Sequence, residues 1–190
     1  MRSLLQVQPT LLKPVAGRVL VSVPYYNDPL FNRSVVLIIE KDEENCVGLM
    51  LNQELNCTVR QAISGVKIDM PVYAGGPVMH SNAFALHNFE NCKESEEILP
   101  NVYTGYDEIL LAIFEHNAIP EMDYKFFVGY SGWSPGQLED EIKRKMWVVA
   151  EGNEELVLKT PTPKVWEKAV KNLGNEYAHW LEIPLNIHDN

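Results

Sequence analysis

The chain has 190 residues, a formal net charge of −10, 46% hydrophobic and 22% charged residues. That length is one domain's worth and can bury a core without disulfide or metal staples. The acidic balance opposes a sequence-independent nucleic-acid binder, which needs Lys and Arg to neutralise phosphates, and no apolar run approaches the roughly 18 residues of a membrane span.

The first segment carries Arg2 and a few leucines, but Gln6, Gln8, Pro9 and Lys13 interrupt it before a signal-peptide core can form. A cytoplasmic protein is therefore expected. Strands are predicted at Arg18–Val23 and Val35–Ile39, both rich in Val, Ile and Leu and bounded by turn or charged residues. Val47–Leu51 follows an acidic turn, Lys41–Asn45, and should pair with Val35–Ile39 as a hairpin. A short helix is predicted at Thr58–Ser64, with Thr58 as N-cap and Gly65 at its end. Met70–Tyr73 and Ala83–His87 read as further strands.

The clearest helix is Tyr106–Asn117, where Ile109, Leu110, Ile113 and Phe114 make one apolar face. Thr104 with Asp107 offers its cap. Lys125–Tyr130 and Met146–Ala150 are strands, and between them a helix begins at Ser134 with Pro135 as first helical residue and Gln137 in the capping-box position. The last helix spans Pro163–Leu173, capped by Thr162 and stopped by Gly174. Strands and helices do not alternate regularly, which favours a single-domain α+β fold with a mixed sheet over a doubly wound parallel one.

Cys46, Cys57 and Cys92 are odd in number and include no C-x-x-C pair, so free structural thiols are expected. No two of the five histidines stand four apart, and no metal site or cofactor is expected. Charge is uneven. Residues 91–125 hold Lys93 and Lys125 against eight acids, a solvated face or a docking surface for a basic partner.

Gly132-Trp133-Ser134-Pro135-Gly136 matches the G-x-S-x-G nucleophile elbow, which would make Ser134 a hydrolase nucleophile. The oxyanion hole of that fold uses the N–H of the following residue, and Pro135 has none. Ser134 as a helix N-cap explains the same residues. Gly75-Gly76-Pro77 follows a strand and reads as a tight turn or an anion nest.

Several blocks in order then resemble a known family. They are Gly17-Arg18-Val19-Leu20-Val21, Asp28-Pro29-Leu30-Phe31-Asn32-Arg33-Ser34, Gly48-Leu49-Met50-Leu51-Asn52, Gly75-Gly76-Pro77, Leu86-His87 and, above all, Gly129-Tyr130-Ser131-Gly132-Trp133-Ser134-Pro135-Gly136-Gln137-Leu138-Glu139. The chain resembles the AlgH/YqgE family of bacterial proteins over about residues 15–175. The resemblance implies one α+β domain with a bifurcated, partly barrel-like mixed sheet and flanking helices. It implies no known reaction, and the family's label as a transcriptional regulator comes without a DNA-binding motif. The chain departs from the family at Gln53-Glu54, where a basic residue and Pro are usual.

The expectation is a non-enzymatic ligand- or protein-binding regulatory protein with no membrane or direct nucleic-acid contact. Its surface combines Arg33, Asn52, Gly75, Gly76, His87, Tyr130, Trp133 and Gln137, at strand ends and turns where loops present binding groups. The alternatives are a transcriptional regulator acting on DNA with partners, and a hydrolase using Ser134.

Overall fold

In the N-terminal strands both faces are buried, which is why their sequences are almost continuously apolar. Val19, Val21, Val35 and Leu37 point into one core, while Leu20, Val36 and Ile38 point into another on the opposite face. The structure, a computed structural model, describes residues 7, 11–25 and 28–184, with the side chains of 79–82 excepted. Arg2 and His188 lie outside the described residues, as does the His80 side chain.

In chain order the elements are β1 (Arg18–Ser22), β2 (Val35–Lys41), β3 (Cys46–Met50), β4 (Glu54–Thr58), α1 (Val59–Ala62), β5 (Pro71–Ala74), β6 (Val78–His87), β7 (Glu96–Leu99), β8 (Val102–Thr104), α2 (Glu108–His116), β9 (Tyr124–Trp133), α3 (Gln137–Lys143), β10 (Trp147–Glu151) and α4 (Val165–Leu173). A π-helical turn, Glu155–Lys159, precedes α4, and a 3₁₀ segment, Asn175–Glu182, follows it.

The sheet runs β10-β1-β2-β3-β9-β6-β8-β7, antiparallel throughout, and β5 joins β9 in parallel with β4 on its other side. One edge of β9 pairs with β6. The other edge changes partner along its length: Phe126–Val128 pair with β5, and Ser131–Trp133 pair with β3. This is the bifurcation. The sheet also curls until its ends meet, since a side chain at Gly17 would collide with the Ile98 carbonyl and one at Gly152 with the Gly17 carbonyl. The α+β fold with a bifurcated, half-barrel sheet is the expected one.

Three apolar clusters among the described residues hold it. One lies inside the curl beneath α4 and the 3₁₀ segment and includes Leu49, Phe127, Trp166 and Trp180. A second, with Leu20, Met50, Trp133 and Trp147, is covered by α3 through Leu138. The third, with Val72, Ala85 and Phe126, is covered by α2 through Leu110 and Phe114.

Local departures from the sequence reading have physical causes. Asp107 alone caps α2, accepting from the Leu110 N–H at 2.8 Å, and Thr104 is part of β8. Thr162 turns its hydroxyl to Glu54 instead of capping α4. β9 runs on past Tyr130, where the predicted strand ends, through Gly132 to Trp133. Accordingly α3 begins at Gln137, not at Ser134, and Gly136 at φ 76° occupies its N-cap. The capping box survives in part: the Ser134 N–H donates to Gln137 Oε1 at 3.1 Å.

Candidate functional site

The eight residues expected to form one surface fall into four groups. Arg33 and Asn52 form the first. Asn52 clamps two strands, its Oδ1 accepting from the Val35 N–H at 2.9 Å and its Nδ2 donating to the Arg33 carbonyl at 2.8 Å. The Arg33 guanidinium lies 4.9 Å over the Trp166 ring and donates to the Ile183 carbonyl, so it fastens the C-terminal segment to the sheet.

Gly75, Gly76 and Tyr130 form the second group, at the point where β9 changes partner. The Gly75 N–H donates to the Val128 carbonyl at 2.9 Å, and its own carbonyl accepts from the Met50 N–H and from Ser131 Oγ. A Cβ at Gly75 would strike the Gly129 carbonyl, and one at Gly76 would strike the Ser131 backbone. The two sub-sheets meet here without room for side chains.

Trp133 and Gln137 belong to a third group centred on Glu141. Both indole N–H groups, of Trp133 at 2.9 Å and Trp147 at 2.8 Å, donate to Glu141 Oε2, and Gln137 Nε2 donates to Oε1 at 2.9 Å. Glu141 was not anticipated. Two buried tryptophans of one cluster need an acceptor, and Glu141 is the acid on the following helix that supplies it.

His87 is fully buried between Tyr103 and Phe114. Its Nδ1 accepts from the Phe89 N–H, which leaves the proton on Nε2, 2.9 Å from the Gly105 carbonyl and 3.0 Å from Ser95 Oγ. Burial pushes this imidazole below the usual histidine range, against the opposing pull of the Gly105 carbonyl.

The chain segment that His87 anchors borders a groove of about 490 Å³. Ile39 and Glu40 near the end of β2, Phe84 of β6, Tyr106, Glu94 and Glu96 are among the residues that line it. Tyr130 packs edge-on against Phe84 at 6.2 Å. Two of the eight expected residues, His87 and Tyr130, thus support this groove from behind. None of its three glutamates forms an ion pair among the described residues. Pairing of β6 with β8 covers only Leu86 and His87, so the β6 edge before them carries no partner strand among the described residues.

Ser134 is exposed, and no described side chain accepts from or donates to its hydroxyl. All three cysteines are free, and burial pushes the Cys46 thiol up to about 11.

A family model described as AlgH-like matches residues 19–178. The chain belongs to the AlgH-like family. A UPF0301 protein of Bacteroides thetaiotaomicron is 32% identical over 183 residues, covering 94% of this chain and 93% of that one. A UPF0301 protein of Chlorobaculum tepidum is 34% identical over 177 residues, covering 92% and 94%. Among solved structures, protein DIP2367 of Corynebacterium diphtheriae superposes with a TM-score of 0.73 at 22% identity, covering 89% of this chain and 92% of that one. The solution structure of the Pseudomonas aeruginosa AlgH protein gives 0.69 at 24% identity with the same coverage. These two likenesses establish the shared AlgH-like fold. Glu94 and Glu96 were visible in the AlgH-like sequence only as part of an acidic run; their convergence with Glu40, more than fifty positions earlier, comes from the curl of the sheet.

Proposed function

We propose that this chain is a non-enzymatic binding protein of regulatory role that docks a basic, extended segment of a partner protein in the groove beside β6. The observation that carries the reading is the set of three unpaired carboxylates, Glu40, Glu94 and Glu96, around aromatic Phe84 and Tyr106. Lysine and arginine side chains complement those charges, and their apolar stems suit the aromatic walls. The open edge of β6 offers backbone groups to an added strand, a recurring mode of peptide recognition.

Other readings find less support. Arg18 is paired with Glu151 and Arg33 is held over Trp166, so neither is presented to a phosphate. A regulator acting on DNA would therefore take its DNA contacts from the partner. Ser134 lacks a hydrogen-bonded base, which weighs against a hydrolase. Three free thiols fit a reducing, cytoplasmic setting. Among the described residues no helix is long and apolar enough to cross a membrane.

The test is fluorescence anisotropy with extended heptapeptides containing two or three Arg or Lys. Binding should weaken with salt and disappear in a variant carrying Glu40→Gln, Glu94→Gln and Glu96→Gln. Equal binding of acidic peptides, or full binding by the triple variant, refutes the proposal.

A further inference from the structure

Lys125 is a lysine on an interior strand position, and it is only 8% exposed. Long charged side chains are almost never buried to that extent without a counter-charge. Here the Nζ has one hydrogen-bond acceptor, the Val157 carbonyl at 2.8 Å, and lies 5.5 Å from the centre of the Tyr73 ring. The π-helical turn Glu155–Lys159 supplies that carbonyl, and such wide turns recur at functional sites. The nearest acid in sequence, Asp123, is paired with Lys159 at 3.7 Å, and Lys159 is held in turn by Glu154 at 2.7 Å. No carboxylate pairs with Lys125 itself among the described residues.

Lys125 lines a cavity of about 210 Å³ that shares no lining residue with the acidic groove. Val59, Pro71, Met122, Phe126 and Leu158 are among its apolar lining, and Tyr73, Asp123 and Tyr124 add polar groups. Tyr124 contributes a ring whose hydroxyl is already bonded to the Phe114 carbonyl at 3.3 Å. At about 30 Å³ for each water in the liquid, the space holds a molecule of about five to seven non-hydrogen atoms.

We propose that Lys125 is a reactive amine that captures a small, neutral aldehyde reversibly as an imine in this cavity. Burial without a counter-ion favours the uncharged amine and holds Lys125 down at about 8, with Asp123 pulling the other way. The uncharged nitrogen has a lone pair, as in lysines activated by desolvation in apolar pockets. It adds to the carbonyl carbon, and one N–H proton passes to the former carbonyl oxygen to give a carbinolamine. The hydroxyl then departs with the second N–H proton as water, leaving a C=N bond. Nothing is oxidised or reduced, and water reverses the step. Asp123 is part of the lining and repels an anion, which selects a neutral aldehyde over an anionic keto acid.

The test is reductive trapping of the folded protein with butanal and cyanoborohydride, followed by peptide mass spectrometry. Lys125 should be alkylated about tenfold or more faster than the exposed lysines Lys143 and Lys164 near neutral pH, because its burial favours the uncharged, nucleophilic amine. Its labelling rate should rise with a midpoint near pH 8. Lys125→Met should remove that product and leave surface labelling unchanged; if that variant does not fold, the rate ratio in the native chain decides alone. Labelling of Lys125 no faster than the surface lysines, or only after addition of urea, overturns the proposal.

Discussion

Replacing Glu141 by Ala should be among the most damaging single changes to this fold. The carboxylate accepts from two indoles that are 6% and 2% exposed, so its loss removes the acceptor of both bonds from a nearly dry cluster. A hydrogen bond to a charged group contributes about 1.5–3 kcal/mol, and an orphaned buried donor costs about 1–3 kcal/mol. Both indoles share one oxygen, so their contributions are not additive. Removing a half-buried charge also recovers some desolvation. The balance is a loss of about 3 kcal/mol, a large part of a typical 5–15 kcal/mol. Urea titration followed by tryptophan fluorescence reads it directly: with a slope of about 2 kcal/mol/M the midpoint falls by about 1.5 M. Glu141→Gln retains an acceptor oxygen and should cost about 1 kcal/mol. If Ala costs under about 0.5 kcal/mol, or if Gln is as harmful as Ala, the carboxylate is not the acceptor that holds the two tryptophans.

Two further outcomes follow from other sites. The buried His87 stays neutral in the fold while the unfolded chain takes up a proton near pH 6.5, so the unfolded state binds more protons below that pH. Stability should be full above about pH 6.5 and decline as pH falls towards the lower folded value, and thermal melts of His87→Gln should show a flatter profile over that range. Ser134→Ala should change stability by under about 0.5 kcal/mol, since its exposed hydroxyl has no bond to lose. Stoichiometric labelling of Ser134 by a fluorophosphonate would contradict this account of the motif.

What the sequence disclosed and concealed follows from burial. β1, β2, β3 and β10 were legible because their two buried faces leave almost no polar letter in the run. β4 and β7 were not, because Glu54, Asn56, Glu96 and Glu97 face solvent and read as loop. β9 was cut short at Tyr130 because Gly132 breaks the apolar run, whereas close strand approach is what excludes side chains at neighbouring Gly75 and Gly76. The conspicuous Gly-Tyr-Ser-Gly-Trp block was legible as important, but its Trp133 serves the interior through Glu141. Lys125 gave no signal at all. A lysine between Tyr124 and Phe126 has the alternation of a solvent-facing strand position, and the π-helical turn thirty residues later, with the Tyr73 ring, is what meets its amine.

The change of partner along β9 also governs when the sheet can be completed. β3, β5 and β6 all wait for a strand that begins at Tyr124, and β1 waits for β10 at Trp147. Only the β2–β3 hairpin and the β7–β8 pair close within a few residues. During synthesis the first 120 or so residues therefore leave the ribosome with unpaired strand edges and apolar faces, the condition under which nascent chains associate wrongly. Closing such distant pairs also slows folding through loop entropy. A shortened chain ending before Tyr124 would keep the N-terminal apolar strands and lose β9, which joins both halves of the sheet, so the last third of the sequence is what turns separate hairpins into a protein.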